Sequence, residues 1–181
     1  MTTSHPNPYA VVSAILEKVE NGERSIFMQT RWKPQVSPTY LGALEIPAGG
    51  IDSYESVYDA VRREVNEETG LEIIRFIDDE QTPAMYTRPG DASIAFKPFI
   101  CQQVLETNGG LPWVGFVFRC EVRGTITMQA DEAKDSRWVT IAELDNILTH
   151  SPETIFSLQY ATLRYYVDTI HATIGKNDAE K

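Results

Sequence analysis

The stretch from Gly49 to Leu71 constrains this chain more than any other. It opens on a glycine pair, Gly49-Gly50, and runs through an amphipathic segment. It then reaches a dense run of charge, Arg63-Glu64-Val65-Asn66-Glu67-Glu68, and stops at Gly70. Asp52 suits an N-cap, and Glu55 three residues on completes a capping-box pattern. Gly70 fits the position after a helix, where a left-handed residue is usually needed. The spacing predicts a helix over Ser53–Thr69. At about 100° per residue, Val57, Val61, Glu64, Val65 and Glu68 share one face, with Ala60 at its edge. A valine stripe implies burial against a sheet. Carboxylates continuing that stripe are costly to bury unless they are paired.

Glu64, Glu67 and Glu68 crowd together, so each raises the free energy of ionising the others. A bound cation would remove that cost. Hard oxygen ligands with no Cys or His nearby favour Mg2+ or Mn2+ over zinc. The plainer alternative is a solvated acidic helix end paired with arginines at i,i+4 spacing. Acids at the C-terminal end of a helix oppose its dipole, which counts against that alternative.

Gly49, Glu55, Arg63-Glu64-Val65, Glu67-Glu68 and Gly70-Leu71, at these gaps, resemble a complete Nudix box. The resemblance covers Tyr9 to about Leu148. It implies an α/β fold, an α/β/α sandwich around a mixed β-sheet, here with a C-terminal helix added. It also implies hydrolysis of a nucleoside diphosphate linked to another group, by metal-activated water. Carried over residue by residue, Glu64 and Glu68 bind the metal, Glu67 binds or supports a second ion, and Arg63 orients the carboxylates. The run LEIPAGGID resembles the start of the box in the ADP-ribose pyrophosphatase branch. There the carbonyl of the alanine before the first box glycine helps to hold metal, which implies Ala48 as a ligand. Glu45 then lies near metal or substrate; otherwise it is a strand residue facing solvent. The general base is Glu64 or a carboxylate from a distant loop. Asp131, Glu132 and Asp135 occupy the plausible loop, and Glu132 is the candidate carried forward.

A chain of 181 residues with 42% apolar content suits a single domain, residues 1–181, with a full core. Residues 1–8 read as a loose arm without the features of a signal peptide. No apolar run is long enough to span a membrane. The net charge of −10 disfavours broad binding to nucleic acid or anionic membrane. A small anionic substrate stays compatible with it, because a metal ion reverses the field locally. Cys101 and Cys120 make neither a disulfide framework nor a zinc site. Both sit in strand-like runs and read as buried thiols, which favours a cytoplasmic setting. His5, His150 and His171 read as surface or packing residues.

Along the chain, Tyr9–Val19 and Ser25–Arg31 read as strands around an Asn21-Gly22 turn. Trp32–Thr39 reads as a loop and Tyr40–Ile46 as a short strand. Leu71–Ile77, Ile94–Val104, Trp113–Val122 and Arg137–Val139 read as further strands, with another starting near Ile126 and Met128. Asp78–Ser93 is long for a plain connection and reads as a substrate loop. Thr140 and Glu143 form a capping box for a helix to about Leu148. Ser151-Pro152 starts a last helix, with Pro at its first position, and the C-terminal helical extension spans residues 150–175. Its aromatics read as core or as a dimer surface.

Arg31, with Trp32 and Lys33, is a candidate for base or phosphate contact, and so is Arg88, with Tyr86 placed to stack. For each the alternative is a solvated or packing side chain. The ADP-ribose branch carries a proline at a set distance past the box, and Pro83 and Pro89 miss that place. ADP-ribose or a nucleotide sugar is the favoured substrate class, with a nucleoside triphosphate or dinucleoside polyphosphate as the alternative. A non-catalytic nucleotide sensor would tend to lose box carboxylates, and this chain keeps them. An isomerase on the same fold would need a reactive cysteine. The resembling branch often forms homodimers, so a homodimer is the oligomeric option to test.

Overall fold

The computed structural model describes residues 7–35, 37–108, 110–127 and 133–179. The first two strands, β1 (Tyr9–Glu20) and β2 (Glu23–Arg31), are joined by Asn21-Gly22. Both turn residues have positive φ, 53° and 83°. That twist matches the twist of the flanking strands. Two short strands follow, β3 (Leu44–Glu45) and β4 (Ala48–Gly50), then the helix α1 (Val57–Thr69). Next come β5 (Glu72–Ile77), β6 (Glu80–Gln81), β7 (Met85–Arg88), β8 (Asp91–Ser93), β9 (Phe96–Lys97), β10 (Ile100–Gln103), β11 (Trp113–Arg123) and β12 (Ala133–Thr140). The helices α2 (Ile141–His150) and α3 (Tyr160–Ala179) close the order.

Eight strands form one mixed sheet with the central order β10-β11-β1-β2-β12. The β1–β11 pair is parallel, and the other pairs are antiparallel. Residues 11–16 of β1 are all buried, as expected for a central strand covered on both faces. Alternation along it separates two cores. Val12, Ala14 and Leu16 pack with Val57, Val61 and Val65 of α1. Ile15 packs on the other side with Leu144, Leu148, Leu163 and Tyr166 of α2 and α3. The result is an α/β/α sandwich.

Several elements differ from the sequence-based expectation, each for a local reason. The acidic helix begins at Val57 rather than Ser53. Tyr54 adopts φ 65°, which breaks helical continuity before Glu55. Ser56 is the N-cap and accepts from the Asp59 N–H at 3.1 Å. Gly70 ends the helix with φ 71° and donates its N–H to the Asn66 carbonyl. The segment after Trp32 contains a 3-10 turn at Pro38–Tyr40, so only Leu44–Glu45 extends along β2. The long 78–93 connection carries β6 and the exposed β7–β8 hairpin. The expected strand 94–104 is broken at Pro98, which lacks an N–H for the ladder, into β9 and β10. Ile126 lies outside any strand, while Thr127 donates to the Thr69 carbonyl at 2.8 Å; Met128 lies outside the described residues.

The final helix starts at Tyr160 rather than at Pro152. The preceding segment instead joins the sheet margin. Phe156 donates its N–H to the Leu44 carbonyl at 2.8 Å, and Ile155 bridges to Leu44. The Gln159 amide then brackets the backbone of Ile46, donating to its carbonyl at 3.0 Å and accepting from its N–H at 2.8 Å. Cys120 is buried as expected, but Cys101 is exposed, because it sits on the outward side of β10 at the sheet edge.

Candidate active site

The site is built where β4 meets α1. Strand β4 runs antiparallel to β1, with Ala48 opposite Ser13 and Gly49 opposite Val12. A Cβ on Gly49 would lie 1.9 Å from the Glu64 Cδ and 2.0 and 2.1 Å from its carboxylate oxygens. Glycine is therefore required there for the helix carboxylate to approach the backbone.

Arg63 is clamped from several sides. It donates to both oxygens of Glu55 at 2.9 and 2.8 Å, and to the Gly50 carbonyl at 2.9 Å. It also reaches Glu64 at 2.6 Å and Glu67 at 3.4 Å. The Arg63 hydrogen bonds, helped by the Asp52 N–H, hold the Glu55 carboxyl down to about 2. Glu55 is thus a structural anchor that fixes the guanidinium between loop and helix. Burial pushes the Glu64 carboxyl above the usual range, while Arg63 opposes the shift and Glu67 adds to it.

Glu68 lies deeper, only 2% exposed. Its Oε2 accepts from Gln29 Nε2 at 2.8 Å and from the Ala48 N–H at 3.3 Å. Its Oε1 accepts from Lys33 Nζ at 3.1 Å. Burial pushes this carboxyl up to about 7, against the opposing charge of Lys33, and the neighbouring Glu45 adds to the rise. Glu45 is itself buried and pairs with Arg31 at 2.7 Å. Arg31 also donates to the Ser37 hydroxyl at 2.7 and 3.1 Å and lies over the Phe156 ring, 4.6 Å from its centroid.

A cleft of about 210 Å³ opens beside these groups. Its walls include the aromatic side chains Tyr9, Trp113 and Phe156, with Arg31, Lys33 and Glu45. The Ala48–Gly50 backbone also lines it. Trp113 folds over Gly115, where a Cβ would stand 2.8 Å from the ring.

Among the described residues, no three Asp, Glu, His or Cys side chains stand together as a cluster able to hold an ion. Arg63 holds Glu64, and Lys33 caps Glu68. Three observations nevertheless fit a hard divalent cation. The donors brought together are all oxygens, and Gln29 Oε1 is buried beside Glu68 with no hydrogen-bond partner among the described residues. The Glu64 carboxylate also rests against backbone that only glycine allows.

A profile of the NUDIX domain matches residues 8–158. The chain belongs to the Nudix family. As a Nudix hydrolase it acts on pyrophosphate bonds. None of the curated proteins compared matches it in sequence. The fold is similar to that of a MutT protein from Methanosarcina mazei Go1, at 20% identity and TM-score 0.61, over 94% of this chain and 99% of that one. It is similar to a NUDIX-family hydrolase from Clostridium perfringens, at 15% identity and TM-score 0.59, over 91% and 99%. It is also similar to the NUDIX domain of Shewanella oneidensis NrtR, solved with ADP ribose, at 15% identity and TM-score 0.56, over 81% of each chain.

Of the residues singled out from sequence, Ala48, Glu45 and Arg31 line the cleft, Glu68 lies behind it against Ala48 and Lys33, Glu64 stands against Gly49, and Glu67 is further out on Arg63. Arg88 lies on the exposed β7 strand and is not among the residues lining the cleft. Glu132 and Asp131 lie outside the described residues, and Asp135 is exposed at a bulge in β12. Gln29, Tyr9, Trp113 and Phe156 were not singled out as site residues. A glutamine inside the apolar run Ile26–Gln29 and a glycine inside the Trp113–Arg123 strand are the signals that point to Gln29 and Trp113.

Proposed function

We propose that this chain is a Mg2+- or Mn2+-dependent pyrophosphohydrolase that cleaves a nucleoside diphosphate linked to another moiety, of the ADP-ribose or nucleotide-sugar class. The observation that carries this reading is Glu68. A buried carboxylate that receives a single ammonium and lies against the Ala48 backbone stands beside a cleft lined by Arg31, Lys33 and aromatic walls. Glu64, Glu67, Glu68 and the Ala48 carbonyl would hold the ion. When bound, the ion supplies charge neutralisation on the diphosphate and lowers the pKa of water.

The chain's own residues do the rest. Arg63 keeps Glu64 and Glu67 aimed from one fixed guanidinium. Glu64, with its carboxyl raised by burial, takes the proton of the attacking water; Glu132 is the alternative base. Arg31 and Lys33 neutralise phosphate oxygens, and Glu45 fixes Arg31 in place. Tyr9 and Trp113 present ring surface for a base, which accords with the ADP ribose bound by the similar NrtR domain. The reading treats the chain as one catalytic domain, because Tyr166 and Val167 of α3 share a core with Ile15 and Val117. Two free thiols, one exposed, accord with a reducing cytoplasmic setting. No helix among the described residues is long and apolar enough to cross a membrane.

The test is turnover across ADP-ribose, ADP-glucose, UDP-sugars, dinucleoside polyphosphates and nucleoside triphosphates, with Mg2+ or with EDTA. Preferred, metal-dependent cleavage of ADP-ribose or a nucleotide sugar is expected. Preference for a triphosphate or dinucleoside polyphosphate would reassign the substrate. Binding without cleavage would leave a nucleotide sensor.

A further inference from the structure

The two cations that face the box carboxylates are held in different ways. Arg63 is fixed by two bonds to Glu55 and one to the Gly50 carbonyl, and it cannot leave without breaking the loop-to-helix junction. Lys33 stands in the loop after β2 and meets Glu68 through an ammonium on a flexible four-carbon stem. The two oxygens of Glu68 are likewise unequal. Oε2 is oriented by rigid neutral donors, the fully buried Gln29 amide and the Ala48 backbone. Oε1 meets the Lys33 ammonium. Lys33 also lines the cleft beside Arg31, so a turn of its side chain carries the charge from the carboxylate toward bound substrate. Arg31, the other cation lining the cleft, is held by Glu45, Ser37 and the Phe156 ring.

We propose that Lys33 is an exchangeable counter-ion: it neutralises Glu68 in the metal-free protein, gives Glu68 up to the divalent ion, and moves to a substrate phosphate. This rests on the metal-dependent reading above. It requires a coupling that a purely structural lysine would lack. Lys33 competes with the metal at Glu68 when the cleft holds no phosphate, and a phosphate that recruits Lys33 helps the metal to bind. Such linkage is reciprocal and commonly amounts to about 5–150-fold.

The test is Mn2+ binding by calorimetry, without nucleotide, over a series of alkaline pH values, read where affinity no longer rises with pH. Wild type is compared with Lys33→Met and Lys33→Arg, followed by ADP-ribose binding to the Mn2+-loaded proteins. Lys33→Met is expected to bind Mn2+ about tenfold more tightly than wild type and ADP-ribose about tenfold more weakly. Lys33→Arg, which keeps the charge, is expected to stay close to wild type in Mn2+ affinity. Equal or weaker Mn2+ binding by Lys33→Met, with wild type binding normally, would overturn the exchange while leaving the metal-dependent reading intact. Failure of wild type itself to bind Mn2+ would overturn both.

Discussion

Glu17 and Glu68 are buried to the same degree, 3% and 2% exposed, yet they are treated differently. Glu17, on β1, is enclosed by two guanidiniums: Arg24 reaches one oxygen, and Arg119 donates to the other at 2.5 Å. Arg119 is further tied to Asp78 at 2.8 Å. This network borders a cavity of about 830 Å³, larger than the candidate cleft, and neither Ala48 nor Lys33, the neighbours of Glu68, lines it. Glu68 receives one ammonium and neutral donors, and it is repelled by Glu45. A carboxylate saturated by arginines is part of the framework. One left short of positive charge, with an exchangeable partner and an orphaned amide oxygen beside it, is suited to receive an ion. Cavity size alone points away from the box carboxylates.

The largest expected effect breaks the framework side of this contrast. Arg119→Met leaves Glu17 buried with part of its compensation gone, which should cost about 3–5 kcal/mol of stability. Chemical denaturation will read it as a lowered midpoint, while turnover by the remaining folded enzyme should be unchanged. A loss below about 1 kcal/mol would mean that Arg24 alone suffices.

The second effect concerns pH. The folded Glu68 carboxyl lies near 7, above its ordinary 4.5. Its neutral form is favoured by folding, so that contribution is fully present below about 4.5 and is lost as pH rises through about 7. Metal-free wild type should therefore lose up to roughly 3 kcal/mol across this window relative to Glu68→Gln. Paired melting curves at several pH values, in EDTA, will show it, and parallel curves would refute it.

The third sharpens the ion-receiving side. Gly49→Ala places a Cβ against the Glu64 carboxylate, which must turn away. Mn2+ affinity should fall by roughly 10–100-fold, the range typical of disturbed ligand support, with the fold retained. The smallest effect is local: Ser56→Ala removes the helix cap and should cost about 1 kcal/mol in a thermal melt.

How far these features can be read in the sequence depends on the range of the interactions behind them. The α1 stripe, its Gly70 stop and the Thr140 cap of α2 depend on neighbours a few residues away, and all three were legible. The start of α1 was misjudged because Asp52 and Glu55 do pair, but across a turn that the left-handed Tyr54 creates. The last helix was begun too early because Phe156 and Gln159 bond to Leu44 and Ile46, more than a hundred residues earlier in the chain. Distance in sequence also hid the pairing of Gln29 and Lys33 with Glu68, which lies 39 and 35 positions on.

The central claim is that Glu68 is held ready for a divalent cation, and Mn2+ titration of wild type and Glu68→Gln in parallel tests it most directly. Saturable binding by wild type, weakened by well over tenfold in a Glu68→Gln protein that melts cooperatively, is the predicted result. Equal affinity in the two proteins would contradict it, and would make Glu68 a buried structural acid like Glu17.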